Sequence, residues 1–196
     1  MENKENRFKQ VFVTRTQGFI AISKKSDFWK ELANDLGGAF KIKFTVSKDL
    51  EILDLVIPYK DYQIEFTESD THPLKINCVL KAKQKLEFFI SFEDFIEKLL
   101  KVFGQQDIQV GEDVFDKKYL IQGSDPEAIR NIMQPEVKAI LLRNNVFSIN
   151  CTFQKNDNTL TLISLVSRTV NSKDEMAELY KLFCLIIDKM IELEIT

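Results

Sequence analysis

The sequence predicts an α+β protein, an antiparallel β-meander covered by helices and followed by a strand, two helices, a hairpin and a closing helix. Three observations carry this. Alternation of apolar and polar residues recurs in five runs between residues 40 and 91. The links between runs, such as PYKD (58–61) and ESDTHP (68–73), are too short for a parallel crossover, which takes a dozen or more residues. Capped stripes of helical spacing flank the block on both sides.

Residues 1–6 are polar. In 7–23, Phe8, Val11, Phe12 and Phe19 suit a helical stripe that the run VFVT weakens, and the segment is read as helix. Ser26 caps a short helix with Phe28, Trp29, Leu32, Ala33 and Leu36 on one face, stopped by Gly37 and Gly38. The strand runs follow at 40–46, 51–57, 62–67, 74–82 and 85–91. In the first, Phe40, Ile42, Phe44 and Val46 share the face expected to be buried. Ser91 is expected to start an amphipathic helix in which Phe92, Phe95, Ile96, Leu99, Leu100 and Phe103 recur at helical spacing before Gly104. A strand near 117–122, helices near 125–133 and 136–143, and strands at 146–153 and 160–167 joined by KNDN complete the middle. The last helix opens on Ser172-Lys173-Asp174-Glu175, a capping box.

A chain of 196 residues folding as one domain buries about 70% of its unfolded surface. No Pro/Gly/Ser-rich linker interrupts it, so residues 1–196 are read as one compact domain, divisible into subdomains 1–104 and 105–196. Sixteen Phe against one Trp and six Gly imply a Phe-rich core and short loops. The net charge of −3 gives no global attraction to nucleic acid. Its distribution is uneven: 7–25 carries five positive charges and no acid, whereas 49–74 carries seven acids against Lys60 alone. These patches can face one another or steer a partner.

Cys78, Cys151 and Cys184 are far apart in apolar runs, which argues against a disulfide framework and a zinc site and suits buried thiols in a reducing compartment. The start MENKENRFKQ lacks an apolar signal core and no run is long enough to span a membrane, so the expected location is the cytoplasm.

Few residues of the sequence form a pattern that carries chemistry. The only histidine, His72, has no second ligand nearby and receives no role. There is no GxSxG elbow, no SxxK and no glycine-rich phosphate cradle, so no catalytic residue, cofactor or metal is predicted. Glu65 and Glu68, three apart on a strand, fall on opposite faces and are read as solvated. The acidic turn Asp107, Glu112, Asp113, Asp116 lacks the spacing of a calcium loop. Asp113 and Asp116 are expected to hold local backbone donors, while Asp107, Glu112 and Asp116 stay as candidates for contact with a ligand or partner. Phe89 joins them, because alternation turns it away from Phe88 and Ile90 and marks a second packing layer or an interface.

The pattern FGxQDIxxG (103–111), FDKxYxIxGSDPE (115–127), PEVxxxLL (135–142) and, upstream, WxxLAxxLGGxF (29–40) resembles a group of uncharacterised bacterial proteins of unknown function. The likeness covers most of 26–153. Some of its members carry N-terminal transmembrane segments that have no counterpart in this sequence. The resemblance implies a fold-level kinship and no activity, substrate or catalytic residue. The residues account for the motif as a corner: Gly123 lets the chain leave a strand, Ser124 caps, Asp125 and Glu127 favour a helix start, and Pro126 and Pro135 each suit a first helical turn.

The sequence therefore points first to a non-enzymatic cytoplasmic module that binds a protein partner or a second copy of itself. An enzyme or ligand binder with its pocket near 107–116 is the alternative. Peripheral membrane association through 7–25 is a weaker one.

Overall fold

A computed structural model describes residues 22–44, 51–92 and 107–196. In chain order they form α1 (Ile22–Asp35), β1 (Ala39–Phe44), β2 (Glu51–Tyr59), β3 (Tyr62–Ser69), β4 (His72–Lys81), β5 (Phe88–Phe92), α2 (Asp113–Asp116), β6 (Tyr119–Gly123), α3 (Pro126–Ile132), α4 (Pro135–Arg143), β7 (Ser148–Gln154), β8 (Thr159–Val166) and α5 (Lys173–Glu192). The expected α+β architecture is present. The strands make one eight-stranded sheet in the order β1-β2-β3-β4-β8-β7-β5-β6. Every neighbouring pair is antiparallel.

The β1–β4 meander was legible in the sequence. The insertion of the late β7–β8 hairpin between β4 and β5 was not, and it joins strands from both halves of the chain in one sheet.

Alternation gives the sheet two unlike faces. One row crosses all eight strands as Phe40, Leu55, Phe66, Ile76, Ser164, Ile149, Ile90 and Ile121. It lies under the helices, in one core with Trp29 and Leu32 of α1 and Leu179, Phe183 and Ile187 of α5. Each such side chain contributes about 1.5–3 kcal/mol when fully buried. The next row runs Lys41, Asp54, Thr67, Lys75, Leu165, Ser148, Ser91 and Leu120. The apolar residues on this second face lie outside the cluster under the helices, although Phe89 and Leu120 among them are buried.

The helices form where apolar spacing and caps agree. α1 buries Trp29, Leu32 and Ala33. It stops where Gly37 takes φ 65°, a conformation that favours glycine, and the Gly38 N–H returns to the Ala33 carbonyl at 2.7 Å. At α5, Ser172 Oγ accepts from the Glu175 amide at 3.2 Å, and Glu175 Oε2 accepts from the Asn171 amide at 2.9 Å. That is a capping box displaced by one residue.

Several expectations need correction. Ser26 is buried within α1 instead of capping it, because the helix already includes the residues from Ile22 onward. Ser91 does not begin a helix: it pairs with Leu120 and Ser148 in β5. The helical stripe from Phe95 onward, Val46 and the reading of 7–21 as helix lie outside the described residues. Gly123 does not have positive φ; a Cβ there would lie 2.3 Å from Ile129 Cδ1 and 2.6 Å from the Glu87 carbonyl oxygen, so space makes it glycine. Ser124 is not the cap. Asp125 is, accepting from the Glu127 and Ala128 amides, while Ser124 Oγ accepts from the Glu87 amide.

Candidate functional site

The acidic turn follows from its surroundings. Ile108 and Phe115 are apolar and buried, Phe115 stacking on Tyr119 with ring centroids 4.7 Å apart. The polar residues between them must find partners within a tight loop. Asp116 accepts three backbone amides, from Val110 at 3.0 Å, Gly111 at 3.0 Å and Glu112 at 3.1 Å. Ile108 donates its amide to the Ile121 carbonyl at 2.8 Å, and the Ile121 amide donates to Asp107 Oδ1 at 3.1 Å. Residues 107–108 thus flank the outer edge of β6 like the start of a further strand, with a side-chain carboxylate in place of one carbonyl. Gln109 donates to the other Asp107 oxygen. Glu112 Oε2 lies 2.9 Å from Lys138 Nζ, an ammonium buried in α4.

Asp107, Glu112 and Asp116 come together in one turn, and each is engaged within the protein. Tyr119 locks the same corner. Its hydroxyl donates toward the Leu141 and Val146 carbonyls, at 2.9 and 2.8 Å, and burial pushes its ionisation well above the ordinary tyrosine range.

Phe89 faces away from the core as alternation requires, across from Gln122 and Asn150. It is 1% exposed, so its ring is not open to solvent. A cleft of about 200 Å³ lies elsewhere, lined by Lys85, Leu86, Asp125, Asn131, Leu193 and Ile195 among others, and none of the candidate residues borders it.

The three thiols are free and buried. Burial pushes Cys78 and Cys151 up to about 12 and Cys184 up to about 11. They stay protonated at neutral pH and are poor nucleophiles. Among the described residues, no group of three or more His, Cys, Asp or Glu is placed to hold a metal, and no helix is long and apolar enough to cross a membrane.

Two features escaped the sequence reading. The first is an ion pair between Lys25 of α1 and Glu68 of β3, at 2.7 Å with the residues 4% and 3% exposed. Glu68 is therefore not solvated. Burial pushes its carboxyl up, and the Lys25 ammonium partly pulls it back. The signal was available: Glu68 falls two residues after Phe66 on the inward phase of β3, and Lys25 and Glu68 belong to the two oppositely charged patches.

The second is β1. Its inward phase was expected to be buried, yet Ile42 is 38% and Phe44 58% exposed. β1 is the terminal strand and reaches past the cover of α1, whose Trp29 meets Phe40 with ring centroids 6.0 Å apart.

No family model and no curated protein sequence matches the chain. The fold is similar to the crystal structure of the mycobacterial trehalose monomycolate transport factor A, TtfA, with a TM-score of 0.51 at 8% identity, over 84% of this chain and 93% of that one. At that identity the likeness shows a shared fold alone.

Proposed function

We propose that this protein is a non-enzymatic, cytoplasmic interaction module that meets a protein partner through the open end of its sheet. One contrast supports the reading. The acids that a pocket at 107–116 would need are engaged with backbone amides and Lys138, whereas two large apolar side chains of β1, Ile42 and Phe44, stand in solvent. Exposed apolar area on an edge strand is a common basis of association. The resemblance to bacterial proteins carried by motifs within 29–40 and 103–142 fits a shared framework and adds no chemistry. The alternative pocket at 107–116 has less support, because Asp107, Glu112 and Asp116 are each engaged within the protein. The membrane reading rests mainly on 7–21, outside the described residues.

The test is site-specific photocrosslinking in the cells that make the protein. A benzophenone side chain at position 44 is expected to give a discrete adduct with a second polypeptide, and the same group at exposed Asp157, in the β7–β8 turn, is expected to give none. Absence of an adduct at position 44 would overturn the reading.

A further inference from the structure

We infer that the outer edge of β1 accepts an extended segment of another protein in which acidic and apolar residues alternate. This deepens, and rests on, the interaction-module reading.

β1 has six residues and five are exposed. It ends the sheet, and among the described residues no strand pairs with its outer side. A strand in that position presents unpaired N–H and C=O groups along its length, the template to which an added strand hydrogen-bonds. Its side chains are sorted: Phe40, Ile42 and Phe44 point to the helix side, Lys41 and Lys43 to the other.

The lysines decide which strand fits. Asp54, buried on β2, lies 2.9 Å from Lys43 Nζ and 3.5 Å from Lys41 Nζ. Two ammonium groups against one carboxylate leave one positive charge at the rim. In an antiparallel ladder, directly opposed residues share a face. An incoming strand therefore places one phase beside Lys41 and Lys43 and the other beside Ile42 and Phe44. Acidic residues in the first phase and apolar residues in the second satisfy both. A second copy does not, because two β1 strands related by a two-fold axis set lysine against lysine, and directly opposed like charges are destabilising.

The probe is a capped peptide of about eight residues alternating glutamate with valine, the length of an ordinary strand. It is titrated into the intact protein, with backbone amide exchange followed by NMR. The expected result is one-to-one binding, slowed exchange within 39–44, and affinity at least about tenfold weaker for the same peptide with lysine in place of glutamate. Phe44→Asp alters a solvent-exposed side chain, leaves the fold intact and is expected to weaken binding by a similar factor. The inference is overturned by no binding, by equal binding of the two peptides, by unchanged exchange in β1, or by self-association that Phe44→Asp disperses. If position 44 crosslinks a partner while the peptide does not bind, the interaction reading stands and strand addition falls; if neither occurs, both fall.

Discussion

At one edge of the sheet β6 gives its Ile121 carbonyl to Ile108 and its amide to Asp107, while at the opposite edge β1 gives its outer groups to no described residue. Both ends hold charged side chains, and they use them differently. At the β6 end carboxylates are spent on backbone amides, so that Asp107 and Asp116 finish hydrogen bonds the chain alone leaves open. Near the β1 end charge is buried as an ion pair, Lys25 with Glu68, or set at the rim, Lys41 and Lys43 with Asp54. A carboxylate that accepts amides closes an edge. Lysines that pair with a carboxylate one strand further in, as Lys41 and Lys43 do with Asp54, engage none of the edge's own backbone groups.

The largest expected effect separates the two uses of charge. Lys25→Met leaves the Glu68 carboxylate buried without its cation, and breaking a buried pair from one side costs about 3–5 kcal/mol. Urea denaturation at neutral pH should show that loss, with little change in Lys25→Met/Glu68→Met. The sign with pH follows from the raised ionisation of Glu68. The folded state holds this proton at higher pH than the unfolded chain, so its contribution is present below the unfolded value and lost as pH rises through the folded one. Without Lys25 the folded value rises further, and the deficit of Lys25→Met should shrink on acidification. A deficit that is constant with pH would mean that α1 is held by packing alone.

At the closed end, Gly123→Ala drives a methyl group into Ile129 and the Glu87 carbonyl. Overpacking of this kind costs about 3 kcal/mol, read as a fall in thermal midpoint. A neutral result would show that β6 can move away from α3. The smallest of the three effects is Asp116→Ala, which strips the acceptor from three amides in a partly exposed turn and should cost roughly 2 kcal/mol in chemical unfolding. Asp116→Asn, which keeps one acceptor oxygen, should lose less.

Much of the fold was legible because its signals are local. Period 2 in residues 51–57 and 62–67, the stripe of Trp29, Leu32 and Ala33, and the Ser172 cap each rest on residues within a few positions of one another. The errors arose where a distant partner set the outcome. Ser91 reads as a helix cap until β7 and β6 pair with it on both sides. Gly123 reads as a conformational glycine until Ile129 and Glu87 fill the space beside it. Phe44 reads as core until β1 becomes the outermost strand. The candidate site followed the same division. The grouping of Asp107, Glu112 and Asp116 was visible in the turn, but Ile121 and Lys138, which engage two of them, come from β6 and α4.

By itself the sequence determined the antiparallel meander, the helix faces, the clustering of acids at 107–116 and the opposite charges of its early segments, because each depends on periodicity or composition along the chain. Tertiary structure alone decided that the β7–β8 hairpin enters between β4 and β5, that Lys25 and Glu68 are buried together, and that Ile121 on the outer side of β6 is engaged by Ile108 and Asp107 while the outer side of β1 pairs with no described strand. Those outcomes depend on which strand ends next to which. Edge position is a property of the assembled sheet, and no single strand carries it.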